Sequence, residues 1–170
     1  VLPGMNAAFV DIGLEKNGFL CAGDVPANPL AQGGDAHSPA IDRLVRPGQQ
    51  VLVQVAKTQT GAKGPRLSGQ VTLTGRFVAL MPGTRCAGVS RKIASETERA
   101  RLHALGQALL ADGGEGLILR TASEGAPEDD LRSEYESLVA LWRQIQILGE
   151  YAVAPRLLHA NTDLALQAVR

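Results

Sequence analysis

Acidic residues are missing from a long stretch of this sequence: between Arg43 and Ser95 there is not one Asp or Glu. The same stretch carries Arg43, Arg46, Lys57, Lys63, Arg66, Arg76, Arg85, Arg91 and Lys92, and acids gather instead between Glu96 and Glu136. A formal net charge of zero argues against a uniformly basic nucleic-acid binder. Local potential, not total charge, steers a polyanion, so a nucleic-acid face and a solvated basic face both remain open. Aromatics are also scarce, at 4%, which leaves the core to Leu, Val, Ile and Ala. A hydrophobic share of 45% is enough to build one and excludes disorder as a global description. No apolar run approaches the roughly 18 residues needed to span a bilayer. Val1-Leu2-Pro3-Gly4-Met5 has neither the basic nor the apolar region of a signal peptide, so the expectation is a cytoplasmic protein without a transmembrane segment. The chain opens without an initiator Met and reads as a fragment of a longer one. Its two cysteines, Cys21 and Cys86, leave a disulfide open; two buried or half-buried thiols of a cytosolic protein is the preferred reading.

Catalytic motifs are missing as well. H-E-x-x-H, C-x-x-C and G-x-S-x-G are absent, and Gly61 and Gly64 lack the spacing of a phosphate-binding P-loop. His37, His103 and His159 have no metal-ligand spacing, and His103 falls on a helix surface. Glu128, Asp129 and Asp130 are explained by the start of a helix, where acids complement the macrodipole. No catalytic residue and no metal site are assigned.

What is present is a change of period along the chain. Ala7 to Ile12, Gly18 to Cys21, Gln50 to Lys57, Leu67 to Thr74 and Arg76 to Met81 read as short strands between glycine turns. A long loop rich in Gly, Pro and Asn, 22–47, interrupts them. This suits a small five-stranded OB-type β barrel over residues 1–74, although the period-two pattern alone does not distinguish it from another small β barrel. From Ser95 the pattern is helical: Ser95-x-x-Glu98 is a capping-box signature, followed by Leu102, Leu105 and Leu109. A helix ending near Asp112-Gly113-Gly114 and a short strand, Gly116 to Thr121, come next. A second helix follows Pro127, with an apolar stripe of Leu131, Tyr135, Leu138, Leu141, Trp142, Ile145 and Leu148. The expectation is an α+β chain: the barrel, then an α/β module over 75–155 with a seam near residues 74–82. Residues 156–170 would begin a further, truncated element.

Several residues invite functional readings. Phe9 and Phe19 lie on adjacent strands, where they could stack on bases or pack a core. Lys57, Lys63 and Arg66 bracket a glycine turn, as phosphate-neutralising cations or as a solvated loop. Arg120-Thr121, a guanidinium fork beside a hydroxyl at a strand end, could hold a terminal phosphate, although strand-end Arg-Thr pairs are common.

A family resemblance adds to this. Met5 to Leu20 (MNAAFVDIGLEKNGFL), Gly48 to Val55, Gly61 to Leu67 and Leu80-Met81-Pro82-Gly83 resemble the RNA-binding barrel of ribonuclease E/G proteins. Gly88 to Ile93, Gly116 to Ala122, Trp142 and Ala154-Pro155 continue the likeness in order, over essentially the whole chain. The resemblance implies that Phe9, Phe19 and Lys63 grip single-stranded RNA. It also implies that the α/β module is a 5′-sensor, in which Arg120 and Thr121 hold a 5′-monophosphate with support from Gly75 and the backbone near Ala79. The family usually has Val at Ala79, so the pocket's shape is open there.

By the same likeness the parent protein is a Mg²⁺-dependent, single-strand-specific endoribonuclease of RNA processing and decay, forming a homo-oligomer. Its Asp-x-Asn metal motif and the two-cysteine Zn²⁺ motif that links subunits both lie downstream and are absent here, so this segment is expected to bind without cleaving and to need no cofactor. The alternative is a stand-alone OB-fold RNA-binding module without nuclease activity. Ribonuclease E and G are not distinguished.

Overall fold

The computed structural model describes residues 1–26, 40–58, 63–111 and 113–160. The chain is α+β, with two four-stranded sheets. The first begins as a hairpin: β1 (Ala7–Val10) pairs antiparallel with β2 (Gly18–Cys21), placing Phe9 opposite Phe19. Asp11 accepts a hydrogen bond from the Gly13 N–H at 2.9 Å, and Gly13 takes φ +75°, which turns the chain after β1. Within β2, Gly18 makes room for a neighbour, because a Cβ there would stand 2.4 Å from Leu67 Cδ1. Leu67 lies in β4 (Arg66–Ser68), which runs parallel to β2 and antiparallel to β3 (Gln54–Lys57), giving the order β1-β2-β4-β3. Alternation then sorts the faces. Ala8, Leu20 and Leu67 are buried while Phe9 and Lys57 are exposed.

The segment before β3 returns to this sheet through a short helix, α1 (Ile41–Leu44). Its first N–H, from Ile41, has no partner inside the helix and donates to the Asn6 side chain at 2.8 Å. Asn6 itself sits in the left-handed region at φ 47°, which its short polar side chain tolerates. Ile41 and Val45 thereby pack against Ala8 and Ala22.

Several expected strands are shorter in the structure, β1 ending at Val10 and the strand expected from Arg76 beginning at Val78, and no closed barrel forms among the described residues. The strand expected from Gln50 starts only at Gln54. The one expected over 67–74 breaks: the Ser68 hydroxyl accepts from the Gln70 N–H and Gly69 donates to the Asp24 carbonyl, so the chain turns away after Ser68. Its far end, β5 (Leu73–Thr74), joins the second sheet. Among the described residues the first sheet therefore has four strands in open order, not a closed five-stranded barrel. Gln54 bridges the crossing. Its side-chain nitrogen donates to the Thr72 carbonyl at 2.9 Å and its oxygen accepts from the Thr72 N–H at 2.8 Å.

In the second sheet β5, β6 (Val78–Met81) and β8 (Gly116–Leu119) pair antiparallel, and β7 (Ala87–Val89) lies parallel to β8 at the edge. Two helices, α2 (Glu96–Ala111) and α3 (Glu128–Tyr151), pack on it. Leu102, Leu105 and Leu109 of α2 and Leu131, Tyr135 and Ile145 of α3 close over Val78, Leu80, Leu117 and Leu119. Each of these large side chains contributes about 1.5–3 kcal/mol by leaving water. The expected stripe holds as far as Ile145 and stops short of Leu148, which is exposed.

Only half of the capping box forms. The Glu98 N–H donates to Ser95 Oγ at 3.3 Å, but the Glu98 carboxylate turns to Arg101 and to the Gly125 N–H. The guanidinium is the stronger attraction, and together they hold the Glu98 carboxyl at about 2. Both cysteines are free thiols; Cys21 is half-buried, but Cys86 is exposed, contrary to expectation. No helix among the described residues is long and apolar enough to cross a membrane. Parts of the 22–47 loop (27–39), Gly61, Ala62, Asp112 and residues 161–170 of the element expected over 156–170 lie outside the described residues.

Candidate nucleic-acid interface

Strand register assembles the first site. Phe9 pairs with Phe19, Phe19 with Arg66 and Arg66 with Lys57, so one row crosses all four strands. Two aromatics occupy one end of that row and two cations the other. At about 4.8 Å per strand the row spans roughly 14 Å. The phenylalanine rings meet edge to face, with centroids 5.7 Å apart and planes at 62°. Phe9 is 55% exposed, which removes core packing as its role. Phe19 is half-buried and supports it.

The cations differ in freedom. Arg66 is exposed but its Nη2 donates to Asp24 Oδ2 at 2.9 Å, and its Nε reaches the same oxygen at 3.3 Å. The Asp24 carboxylate holds the Arg66 guanidinium even more firmly in its charged form, while cancelling part of its field. Lys57 and Lys63 are exposed. Beside Lys63, Gly64 comes so close to the β1–β2 hairpin that a Cβ would stand 2.2 Å from the Asn17 carbonyl oxygen. The turn carrying Lys63 is thereby held against the hairpin that carries both phenylalanines. The third phenylalanine, Phe77, has another job: Arg76 lies over its ring at 4.8 Å.

The second site forms where β8 ends. The Arg120 N–H donates to the Phe77 carbonyl at 2.7 Å, fixing the backbone against the turn that precedes β6. From there the guanidinium Nη1 donates to the carbonyl of Gly75 and, at 3.3 Å, to that of Arg76. The structure thus joins Arg120 and Gly75 directly. Thr121 begins a short 3-10 turn, Thr121–Ser123, and its hydroxyl is 3.1 Å from that of Ser90. Ser90 is itself tied in: its carbonyl accepts from Arg99 at 3.0 Å, and its N–H donates to the Leu119 carbonyl at 2.8 Å. Ala79 lies further along β6, paired with Thr74 and Ile118, and does not join the Arg120–Gly75 contact. Its neighbours Val78 and Leu80 are buried beneath the helices, which puts Ala79 on the opposite face of the sheet.

This arrangement offers a stacking surface with cations beside it, and, where β8 ends, an oriented guanidinium and a pair of hydrogen-bonded hydroxyls. Both suit a phosphodiester chain with a phosphate terminus. Among the described residues no three His, Cys, Asp or Glu side chains are grouped to hold a metal ion. Sequence reasoning missed Asp24, Ser90 and Glu134. Ser90 carried a faint signal, as a hydroxyl between a strand end and a basic turn; Asp24 and Glu134 act across long separations and carried none.

Known proteins are similar to this sequence. A profile described as the ribonuclease E/G family matches residues 72–170. Ribonuclease E of Nostoc sp. is 46% identical over all of the chain, and the match covers 24% of that relative. Ribonuclease G of Salmonella typhimurium is 41% identical and that of Escherichia coli K12 40%, each over all of the chain and 38% of the relative. The chain therefore spans about a quarter to two fifths of the length of these curated relatives. It is a member of the ribonuclease E/G family.

Proposed function

We propose that this chain is the RNA-binding and 5′-monophosphate-sensing portion of a ribonuclease E/G-type endoribonuclease acting on single-stranded RNA. The observation that carries the proposal is the row Phe9–Phe19–Arg66–Lys57, an exposed ring backed by a half-buried one, in register with cations across one sheet. A base stacked on an exposed ring gains about 1–3 kcal/mol without regard to its identity, while Lys57, Lys63 and the part-neutralised Arg66 hold the backbone. In this reading the open sheet is the RNA-facing part of an OB-type barrel, and the second sheet with its helices is the 5′-sensor.

At the second site Arg120, Thr121 and Gly75 cradle the terminal phosphate, with Ala79 shaping the sheet beside them. A monophosphate offers oxygens to the guanidinium fork that a 5′-hydroxyl lacks. Cleavage, its Mg²⁺ and the homo-oligomer are assigned to the length of the relatives beyond what this chain spans. Binding energy gained at a remote 5′ end then assists reaction elsewhere on the same RNA.

The test is the affinity of the chain for one short RNA carrying either a 5′-monophosphate or a 5′-hydroxyl, at two salt concentrations. The proposal expects tighter binding of the phosphorylated end and weakening of both by salt. Equal, salt-insensitive affinities would overturn it.

A further inference from the structure

Three consecutive main-chain N–H groups converge on one carboxylate. Arg76 donates to Glu134 Oε1 at 2.8 Å, and Phe77 and Val78 each donate to Oε2 at 2.7 Å. Glu134 stands early in α3, far along the chain from the turn it grips. The carbonyls of the same turn are held from the other side. Arg120 donates to those of Gly75 and Arg76, and the buried Ser123 hydroxyl donates to that of Phe77 at 2.7 Å. The turn is thus fixed through its N–H groups by an acid and through its carbonyls by donors.

Gly75 follows from the same contact. A Cβ on it would lie 2.6 Å from the Glu134 carboxyl carbon and 2.8 Å from both oxygens, so an alanine would push the carboxylate off the turn. The three N–H groups meanwhile satisfy the carboxylate within the turn itself.

We infer that Glu134 is a positioning residue of the 5′-phosphate site: by clamping the 75–78 turn it fixes the carbonyls that aim the Arg120 guanidinium. This rests on the reading of Arg120 and Thr121 as that site. The planar guanidinium carries five N–H donors in a fixed fork, so holding one edge on two carbonyls sets the direction of the rest. Gly75 then contributes as the residue whose missing side chain lets the clamp close. A role in stability alone would predict that loss of Glu134 lowers melting temperature and weakens all RNAs equally.

The experiment compares wild-type chain, Glu134→Ala, Glu134→Gln and Arg120→Ala. The readout is the affinity ratio for 5′-monophosphate over 5′-hydroxyl forms of one short RNA, with a thermal melt for each protein. Glu134→Ala is expected to cut the ratio about tenfold or more through misplacement of the guanidinium, with 5′-hydroxyl affinity held within about twofold. Glu134→Gln keeps the shape and one acceptor oxygen, turns an amide donor toward the N–H groups, and should give an intermediate ratio.

A wild-type ratio retained by a folded Glu134→Ala overturns the inference, as does equal weakening of both RNAs. If Glu134→Ala does not fold, Glu134→Gln decides alone: an unchanged ratio overturns the inference and a reduced one supports it. An Arg120→Ala ratio equal to wild type would instead remove the phosphate-site reading itself. A ratio lost in Arg120→Ala but kept in both Glu134 variants removes only the positioning role.

Discussion

At the scale of single residues, the side chains proposed to touch RNA differ from the one proposed to aim them. Phe9 is exposed and pairs edge to face with Phe19, outside both clusters of buried residues, so its truncation removes little from the core. Phe9→Ala is expected to weaken RNA binding by about 1–3 kcal/mol, read by fluorescence anisotropy, with the melting temperature nearly unchanged. Lys63 is exposed, and its proposed part is to neutralise a phosphate. Lys63→Ala should reduce the slope of log affinity against log salt by roughly 0.7, the contribution of one phosphate contact on a single strand.

Glu98 supplies a pH prediction. Its carboxyl is held at about 2, against an ordinary 4.5, by Arg101 and the Gly125 N–H, so the folded state binds its proton less readily than the unfolded chain. Its stabilising contribution is complete above pH 4.5 and is lost as pH falls toward about 2. Melts of wild type and Glu98→Gln should therefore differ at pH 6 and converge near pH 2; a constant gap would refute the assignment.

At the scale of elements, much of the fold was legible and the reasons for the rest are physical. Helical spacing found Leu102, Leu105 and Leu109, and all three are buried. β-prone runs between glycines found β1 and β2, the strands that carry Phe9 and Phe19, but not their register. Local pattern failed where backbone partners lie far away in sequence. Nothing in Leu67 to Thr74 shows that Gly69 will donate to Asp24 and break the strand. Nor does Ser95-x-x-Glu98 reveal an Arg101 and a Gly125 that outcompete the helix start for the carboxylate. The Gln54 bridge is likewise invisible, since its partner is a main-chain amide eighteen residues on. Gln54→Leu leaves the Thr72 N–H and carbonyl without that partner, in a half-buried place. It should lower stability by about 1–3 kcal/mol, measured by urea unfolding.

At the scale of the whole molecule, the charge asymmetry of the sequence takes on a shape. The acid-free stretch contributes Lys57, Lys63 and Arg66 to the first site and the 75–78 turn to the second. The acidic stretch that follows supplies the clamp on that turn, Glu134, and the helix-start acids of α3. A net charge of zero thus conceals two regions of opposite charge. Of the candidate site, the residue types and their order were legible from the sequence. The row across four strands and the clamp behind Arg120 were not, because both depend on register and on contacts between distant segments.

The central claim is that RNA is held at two separable sites, and a double-mutant cycle tests it most directly. Wild type, Phe9→Ala, Arg120→Ala and the double variant would each be titrated with 5′-monophosphate and 5′-hydroxyl RNA. Phe9→Ala is predicted to weaken both RNAs by the same factor. Arg120→Ala should remove only the difference between them, and the two losses should add, as independent sites require. If Arg120→Ala weakens both RNAs alike, or Phe9→Ala changes neither, the two-site account is contradicted.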